Sequence, residues 1–202
     1  LKNKNILGLK DKKIIDYTLQ VVNNFKEFNK KILTSDSIKI LNEAKKYKNI
    51  LSHKRPKSLA TDKSKVIDTI RLIVKEEYKI GNVYDYVVIL APTSPLRKKK
   101  HLVDCLNLVN KQMPDSLISV CQFSKPLEWL LKKKKYGYLK EYKGKGSSFG
   151  NRQNKEKYFY PNGAIYIIST KKISQNNYYF NKSIAYEMNY IESLDIDTIQ
   201  DL

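Results

Sequence analysis

The sequence predicts an α/β domain built on a mainly parallel sheet. Three observations point there. Short apolar, β-branched runs alternate with stretches of helical periodicity. The run Val87, Val88, Ile89, Leu90 is apolar without alternation, as in a strand covered on both faces. A chain of 202 residues is also long enough for one such domain with a sizeable core.

The elements follow in order. Ile14, Ile15, Leu19 and Val22 fall on one face of a helix over 13–24. KKILTSD (30–36) reads as a short strand whose Ser35-Asp36 end caps a second helix with Ile40, Leu41 and Ala44 apolar. NILSH (49–53) is a second strand, and Val66, Ile67, Ile70, Ile73 and Val74 mark an amphipathic helix. The strand Tyr84–Leu90 leads through a proline-bounded turn into a helix over about 99–111, with Leu102, Cys105, Leu106 and Val109 inward. SLISVCQF (116–123), GAIYIIS (163–169) and SIAYEM (183–188) complete the strands. Residues 124–160 break the rhythm with the sole Trp (Trp129), lysine-rich turns and GKGSSFG, and read as a β-ribbon and loop excursion.

Composition excludes several classes. No stretch approaches the roughly 18–20 apolar residues of a membrane span, and LKNKNILGLK has no signal-peptide core. Cys105 and Cys121 form no CxxC and suit a reduced, cytoplasmic protein. Two histidines cannot build a histidine-rich zinc site. Thirty-nine Lys and Arg against 20 Asp and Glu leave a net charge of +19, enough to suggest a polyanionic partner. The lysines are spread along a chain also rich in Asn, Ile and Tyr, so global bias accounts for them. RRM-type aromatics, a zinc pattern and a recognition helix are absent, so no specific nucleic-acid partner is expected.

Three stretches could carry chemistry. Gly144, Gly146 and Gly150 are spaced one residue too long for a dinucleotide fingerprint and follow no strand, so they read as a surface loop. Thr93-Ser94-Pro95-Leu96-Arg97 sits at the carboxyl end of a buried strand, where α/β sheets bind ligands. Its hydroxyls and the Arg97 fork suit a carboxylate or phosphate. A rigid turn with Ser94 as a helix cap explains the stretch equally well. In Asp195-Ile196-Asp197 an extended backbone puts both carboxylates on one side and Ile196 in the core, a donor pair suited to Mg²⁺. Asp197 and Gln200 alternatively form a capping box, which leaves Asp195 unexplained.

Taken in order, KNKNI (2–6), LTSD (33–36), AKKY (44–47), KRPKSLATD (54–62), LAPTSPLR (90–97), RQ (152–153), NGAIYI (162–167), IAYEM (184–188) and SLDIDT (193–198) resemble the acylneuraminate cytidylyltransferases. The resemblance runs over nearly the whole chain. It implies a doubly wound, Rossmann-like three-layer fold of the nucleotide-diphospho-sugar transferase type, a single domain over 1–202, with 124–160 as an inserted dimerisation segment and a homodimer as the assembly. The implied reaction transfers CMP from CTP to the anomeric hydroxyl of a nonulosonic acid and releases pyrophosphate. On the resemblance, Asp195 and Asp197 hold Mg²⁺ and act with Lys4. Lys4, Asn5, Arg55, Asp62 and Ser64 meet the nucleotide. Ala91, Thr93, Ser94, Arg97, Arg152, Gln153, Asn162, Tyr179 and Phe180 line the sugar side.

The departures matter too. The family opens with a strand and a phosphate-cradling loop before the Lys-Asn pair, whereas this sequence starts at Leu1. It is therefore expected to lack that loop and, by itself, not to turn over CTP. Many members carry Gln at Ala91 and Arg at Tyr160, so a legionaminate- or pseudaminate-like sugar stands beside N-acetylneuraminate as the expected substrate. The runner-up is a cytidylyltransferase for another acidic sugar, such as 3-deoxy-manno-octulosonate. A basic nucleic-acid-binding domain and a catalytically dead relative are the further alternatives.

Overall fold

In a computed structural model of the chain, residues 3–125, 127–142 and 156–202 are described. A 3-10 turn at Lys4–Ile6 precedes the two-residue strands β1 (Gly8–Leu9) and β2 (Lys12–Lys13), which pair with each other. Helix α1 (Ile14–Asn23) follows at once, its start tied back by the Lys13 amide donating to the Asp16 carboxylate. Strands β3 (Ile32–Ser35) and β4 (Leu51–Lys54) pair in parallel around helix α2 (Ile38–Ala44). Helix α3 (Val66–Lys79), β5 (Tyr86–Leu90), α4 (Lys99–Gln112) and β6 (Ser116–Gln122) continue the alternation. The hairpin β7 (Leu131–Lys133) and β8 (Leu139–Glu141) then interrupts it, before β9 (Phe159–Ser169) and β10 (Ser183–Met188).

The main sheet has the order β10-β6-β9-β5. Strands β5, β6 and β10 run the same way, as expected of a mainly parallel sheet, while β9 between β6 and β5 runs against them, so that two of the three ladders are antiparallel. The cause is the excursion after β6. The chain leaves β6 at Gln122 and re-enters at Phe159, which pairs with it, and a strand that starts where its neighbour ends must be antiparallel. This puts the start of β9 beside the carboxyl ends of β5, β6 and β10, where the loop after β5 also emerges.

Helices cover both faces, because successive strand residues point to opposite sides. Leu102, Cys105 and Val109 of α4 pack with Phe25 on Leu117, Ile165 and Ile167. Ile67 of α3 packs on Ile168 and Ile173 across the sheet. A third cluster joins α1 to α2 and the lead into β4 through Ile15, Leu19, Ala44 and Ile50. The burying of each Ile, Leu, Val and Phe among these contributes about 1.5–3 kcal/mol.

Two expected caps are displaced. The residue capping α2 is Ser37: the Ser35 hydroxyl accepts from the Ser37 amide at 3.1 Å, and Asp36 turns away to Arg55. At the carboxyl end the cap is Thr198, not Asp197 with Gln200. The Asp201 carboxylate accepts from the Thr198 amide at 2.7 Å and its hydroxyl at 2.8 Å. Both caps shift because capping depends on which residue first leaves helical dihedrals.

Candidate active site

The site is built around a bulge. Ile118 faces Tyr166, but Val120 faces Pro161, so Ser119 alone stands opposite residues 162–165 of β9. The Ser119 hydroxyl fills the gap, accepting from the Ile165 amide at 2.8 Å and donating to Asn162 Oδ1 at 2.6 Å. Gly163 lies within the bulge at φ +76, a left-handed conformation that glycine adopts without strain. Bulges re-aim side chains. Here the bulge opens a cavity of about 340 Å³ lined by Tyr160, Asn162, Tyr166, Tyr190, Ser193 and Asp195.

Asp195-Ile196-Asp197 runs past the cavity without joining the sheet. The Ile196 amide donates to the Thr93 carbonyl at 2.9 Å and its side chain is buried, so the flanking carboxylates turn the other way, as the alternation requires. A Cβ added at Gly163 would lie 3.7 Å from Asp195 Oδ2, and Asp195 Oδ1 is buried with no hydrogen-bond partner. Asp197 is exposed and forms an ion pair with Lys4. Residues 193 positions apart are thus brought together, and a buried unpartnered carboxylate oxygen beside a second carboxylate is a donor set that fits a hard divalent cation. Among the described residues no group of three or more His, Cys, Asp and Glu could hold a metal, so the remaining ligands of such a cation would be substrate oxygens and water.

The other expected residues divide. Asn5 shares the turn with Lys4, and its Oδ1 is buried without a partner. Arg55 follows β4 and donates to Asp36 at 3.0 Å, which holds the Asp36 carboxyl below its ordinary range. Asp62 is exposed, and the Ser64 hydroxyl is used in its own turn, 2.8 Å from the Thr61 hydroxyl. Among the described residues no hydrogen bond or ion pair links Arg55, Asp62 or Ser64 to Asp195 or Asp197.

On the sugar side several assignments change. Asn162 has its amide committed: Oδ1 accepts from Ser119 and from the Ala164 amide at 3.1 Å, and Nδ2 donates to Ser193 at 2.9 Å. It braces the wall more than it reaches into the cavity. Arg97 is 3 % exposed, and its fork is spent on protein oxygens instead of being displayed. Ser94 caps nothing: its hydroxyl is buried without a partner, and α4 begins beyond it, with the Lys98 amide donating to His101 Nδ1 at 3.2 Å. Ala91 presents a methyl group, and its carbonyl accepts from Arg97 at 3.0 Å. Phe180 turns into the cluster of Ile67, Ile168 and Ile173, while Tyr179 is exposed. Arg152 and Gln153, like the three spaced glycines, lie outside the described residues.

Four participants went unread in the sequence. Ser119 and Tyr166 had alternation as a possible signal, whereas Tyr190 and Ser193 had none. The Tyr160 hydroxyl is pushed up to about 12 by burial, and that of Tyr166 is raised by burial, so both remain neutral near neutral pH. Behind the wall, Glu192 accepts from Lys98 at 2.7 Å and from the buried His101 at 3.2 Å, which fixes the turn that delivers Ser193 and Asp195.

A cytidylyltransferase family model matches residues 1–202. The chain belongs to that family. It is 31% identical to the N-acylneuraminate cytidylyltransferase of Escherichia coli O18:K1:H7 over 100% of this chain and 47% of that protein. It is 29% identical to the CMP-N,N'-diacetyllegionaminic acid synthase of Legionella pneumophila over 98% of this chain and 85% of that one. The chain spans about half the length of the E. coli relative. Among solved structures, the 4-diphosphocytidyl-2C-methyl-D-erythritol synthase of Anaerococcus prevotii superposes with a TM-score of 0.62 at 13% identity, covering 96% of this chain and 84% of that one. The chain therefore shares the fold of that synthase, with the bulge and the Asp195–Asp197 segment at the carboxyl ends of the co-directional strands.

Proposed function

We propose that this cytidylyltransferase transfers CMP from CTP to the anomeric hydroxyl of a nonulosonic acid, releasing pyrophosphate. The observation that carries the reading is Asp195 on the lining of a cavity of about 340 Å³, two residues from Asp197 and its ion pair with Lys4, in a chain matched throughout by a sialic-acid-type relative. In the transfer, the sugar hydroxyl attacks the α-phosphorus of CTP and the bond to pyrophosphate breaks. Such chemistry rests on positioning and on neutralising phosphate charge. Asp195 and Asp197 would hold Mg²⁺, whose contribution is to offset charge on the phosphates. Lys4 is placed to exchange its bond with Asp197 for one to a phosphate oxygen. Asn5, Arg55, Asp62 and Ser64 remain the nucleotide-side candidates, and Arg152 and Gln153 remain candidates for the sugar.

The cavity bears on the choice of sugar. Three tyrosines line it, and its lining among the described residues includes no cation. Neutral aromatic walls suit acylamino and deoxy substituents better than an array of hydroxyls. This supports a diacylamino nonulosonate of the legionaminate or pseudaminate type. Side-by-side CMP-transfer assays with such sugars and N-acetylneuraminate test it: higher kcat/KM for the diacylamino sugars is expected, and a clear preference for N-acetylneuraminate would remove this reading.

We further infer a homodimer, supported by the β7–β8 hairpin, which leaves Leu131, Tyr136, Tyr138 and Leu139 exposed together. Sedimentation should report a dimer that Leu131→Lys with Leu139→Lys dissociates. A cytoplasmic location fits the buried free thiols Cys105 and Cys121. No helix among the described residues is long and apolar enough to cross a membrane.

A further inference from the structure

Arg97 is a buried cation held entirely by neutral groups. Nη1 donates to the Ala91 carbonyl at 3.0 Å and the Ala164 carbonyl at 2.7 Å, Nη2 donates to Thr18 Oγ1 at 2.5 Å, and Nε has no partner. Among the described residues no carboxylate pairs with it. Burial lowers its pKa only to about 10, so the charge persists at neutral pH. Burying a cation without a counter-ion is costly, and an apolar side chain would fill the space at less cost. What an apolar side chain cannot do is bond three oxygens on three separate segments.

Each of those segments leads to the site. Thr18 lies on α1, whose first amide, that of Ile14, donates to the Leu7 carbonyl just after the Lys4–Asn5 turn. Ala91 opens the loop whose Thr93 carbonyl holds the Ile196 amide. Ala164 follows Gly163 in the bulge, and its amide donates to Asn162, which in turn holds Ser193. The two connections meet on either side of Asp195. The planar fork explains why arginine is used, since a lysine ammonium is a point donor that cannot span the three acceptors at once.

We propose that Arg97 is a positioning residue whose fork locks the loop after β5 and the β9 bulge to α1, and so sets where Asp195 stands. The inference rests on the reading of Asp195 as a site residue, and its test is therefore read first in a quantity independent of catalysis. Amide hydrogen exchange of Arg97→Lys is compared with that of Leu102→Ala, a core change on α4. The lock predicts that Arg97→Lys speeds exchange at Ile196 and Ala164 by about tenfold or more, with Leu117 and Ile118 unchanged, while Leu102→Ala speeds exchange across the sheet. Uniform acceleration in Arg97→Lys, or an unchanged Ile196 amide, would overturn it. Should Arg97→Lys not fold, Thr18→Val removes one acceptor with little change of volume. The same pattern at about threefold then supports the lock, and unchanged exchange at Ala164 and Ile196 refutes it. In CMP transfer, Arg97→Lys should lower kcat while the KM for CTP stays within about twofold. A raised KM at unchanged kcat would instead make Arg97 a direct substrate contact and overturn the positioning role. If the protein with a phosphate-cradling loop ahead of Lys4 transfers no CMP, the proposed function fails and the exchange data still decide the lock.

Discussion

Residues 91–197 and residues 4–64 contribute to the same candidate site by different means. In the later segment, Asn162, Ser119, Ser193 and Arg97 are all 6 % exposed or less, and hydrogen bonds join them into a wall. In the earlier segment, Lys4 and Arg55 sit on turns and hold exposed carboxylates, Asp197 and Asp36. Buried networks are expensive to break and hold a geometry, whereas exposed ion pairs are worth little and exchange readily with a charged ligand. The wall thus positions groups before any substrate arrives, and the turns offer cations whose present partners a phosphate can replace.

That contrast can be broken by mutation. Asp195→Asn removes a charge from the site and, on the proposed function, should lower CMP transfer by about a hundredfold or more while leaving urea stability nearly unchanged. Asn162→Ala leaves the buried Ser119 hydroxyl, the Ala164 amide and the Ser193 hydroxyl short of partners. It should cost about 2–4 kcal/mol in urea unfolding, and a loss below about 1 kcal/mol would mean the wall is not a connected network. Gly163→Ala meets only ordinary contact with Asp195, so its cost should be the left-handed backbone alone, about 1 kcal/mol. Lys4→Met breaks an exposed pair and should change stability by less than about 0.5 kcal/mol while raising the KM for CTP. A large loss of stability there would erase the distinction between the two segments.

The smallest expected effect concerns pH. Burial lowers the His101 pKa below 6.5, against the opposing pull of Glu192. As pH falls from 6.5 the unfolded chain takes up this proton before the folded one, so stability declines until the folded value is passed. Glu192, lowered chiefly by its bond from Lys98, adds a second loss at more acid pH. Lys98, Lys100 and the Tyr186 ring 6.1 Å away complete the surroundings of His101. Thermal melts between about pH 7 and pH 5 should slope downward, and His101→Gln should flatten them.

Much of the layout was legible because it rests on local patterns. The helices at 14–23, 66–79 and 99–112 followed their apolar periodicity, and Asp195-Ile196-Asp197 behaved as alternation demands, with Ile196 inward. Nothing local announced that β9 runs backwards, since direction follows from how the excursion returns the chain. The Asn162-Gly163 pair did mark an irregular backbone, yet the bulge also required Ser119 from a distant strand. Arg97 misled most. Its fork suited an anion, and only the assembled fold offers it two carbonyls and a hydroxyl instead.

The central claim is that Asp195, beside this wall, and Asp197, paired with Lys4, serve CMP transfer. It is tested most directly by assaying Mg²⁺-dependent formation of CMP-sugar and pyrophosphate from CTP across a panel of nonulosonic acids, for the protein with a phosphate-cradling loop ahead of Lys4 and for its Asp195→Asn variant. The account predicts product with at least one acid and its near-complete loss in the variant. Product formation that survives Asp195→Asn unchanged, or transfer to none of the acids, would contradict it.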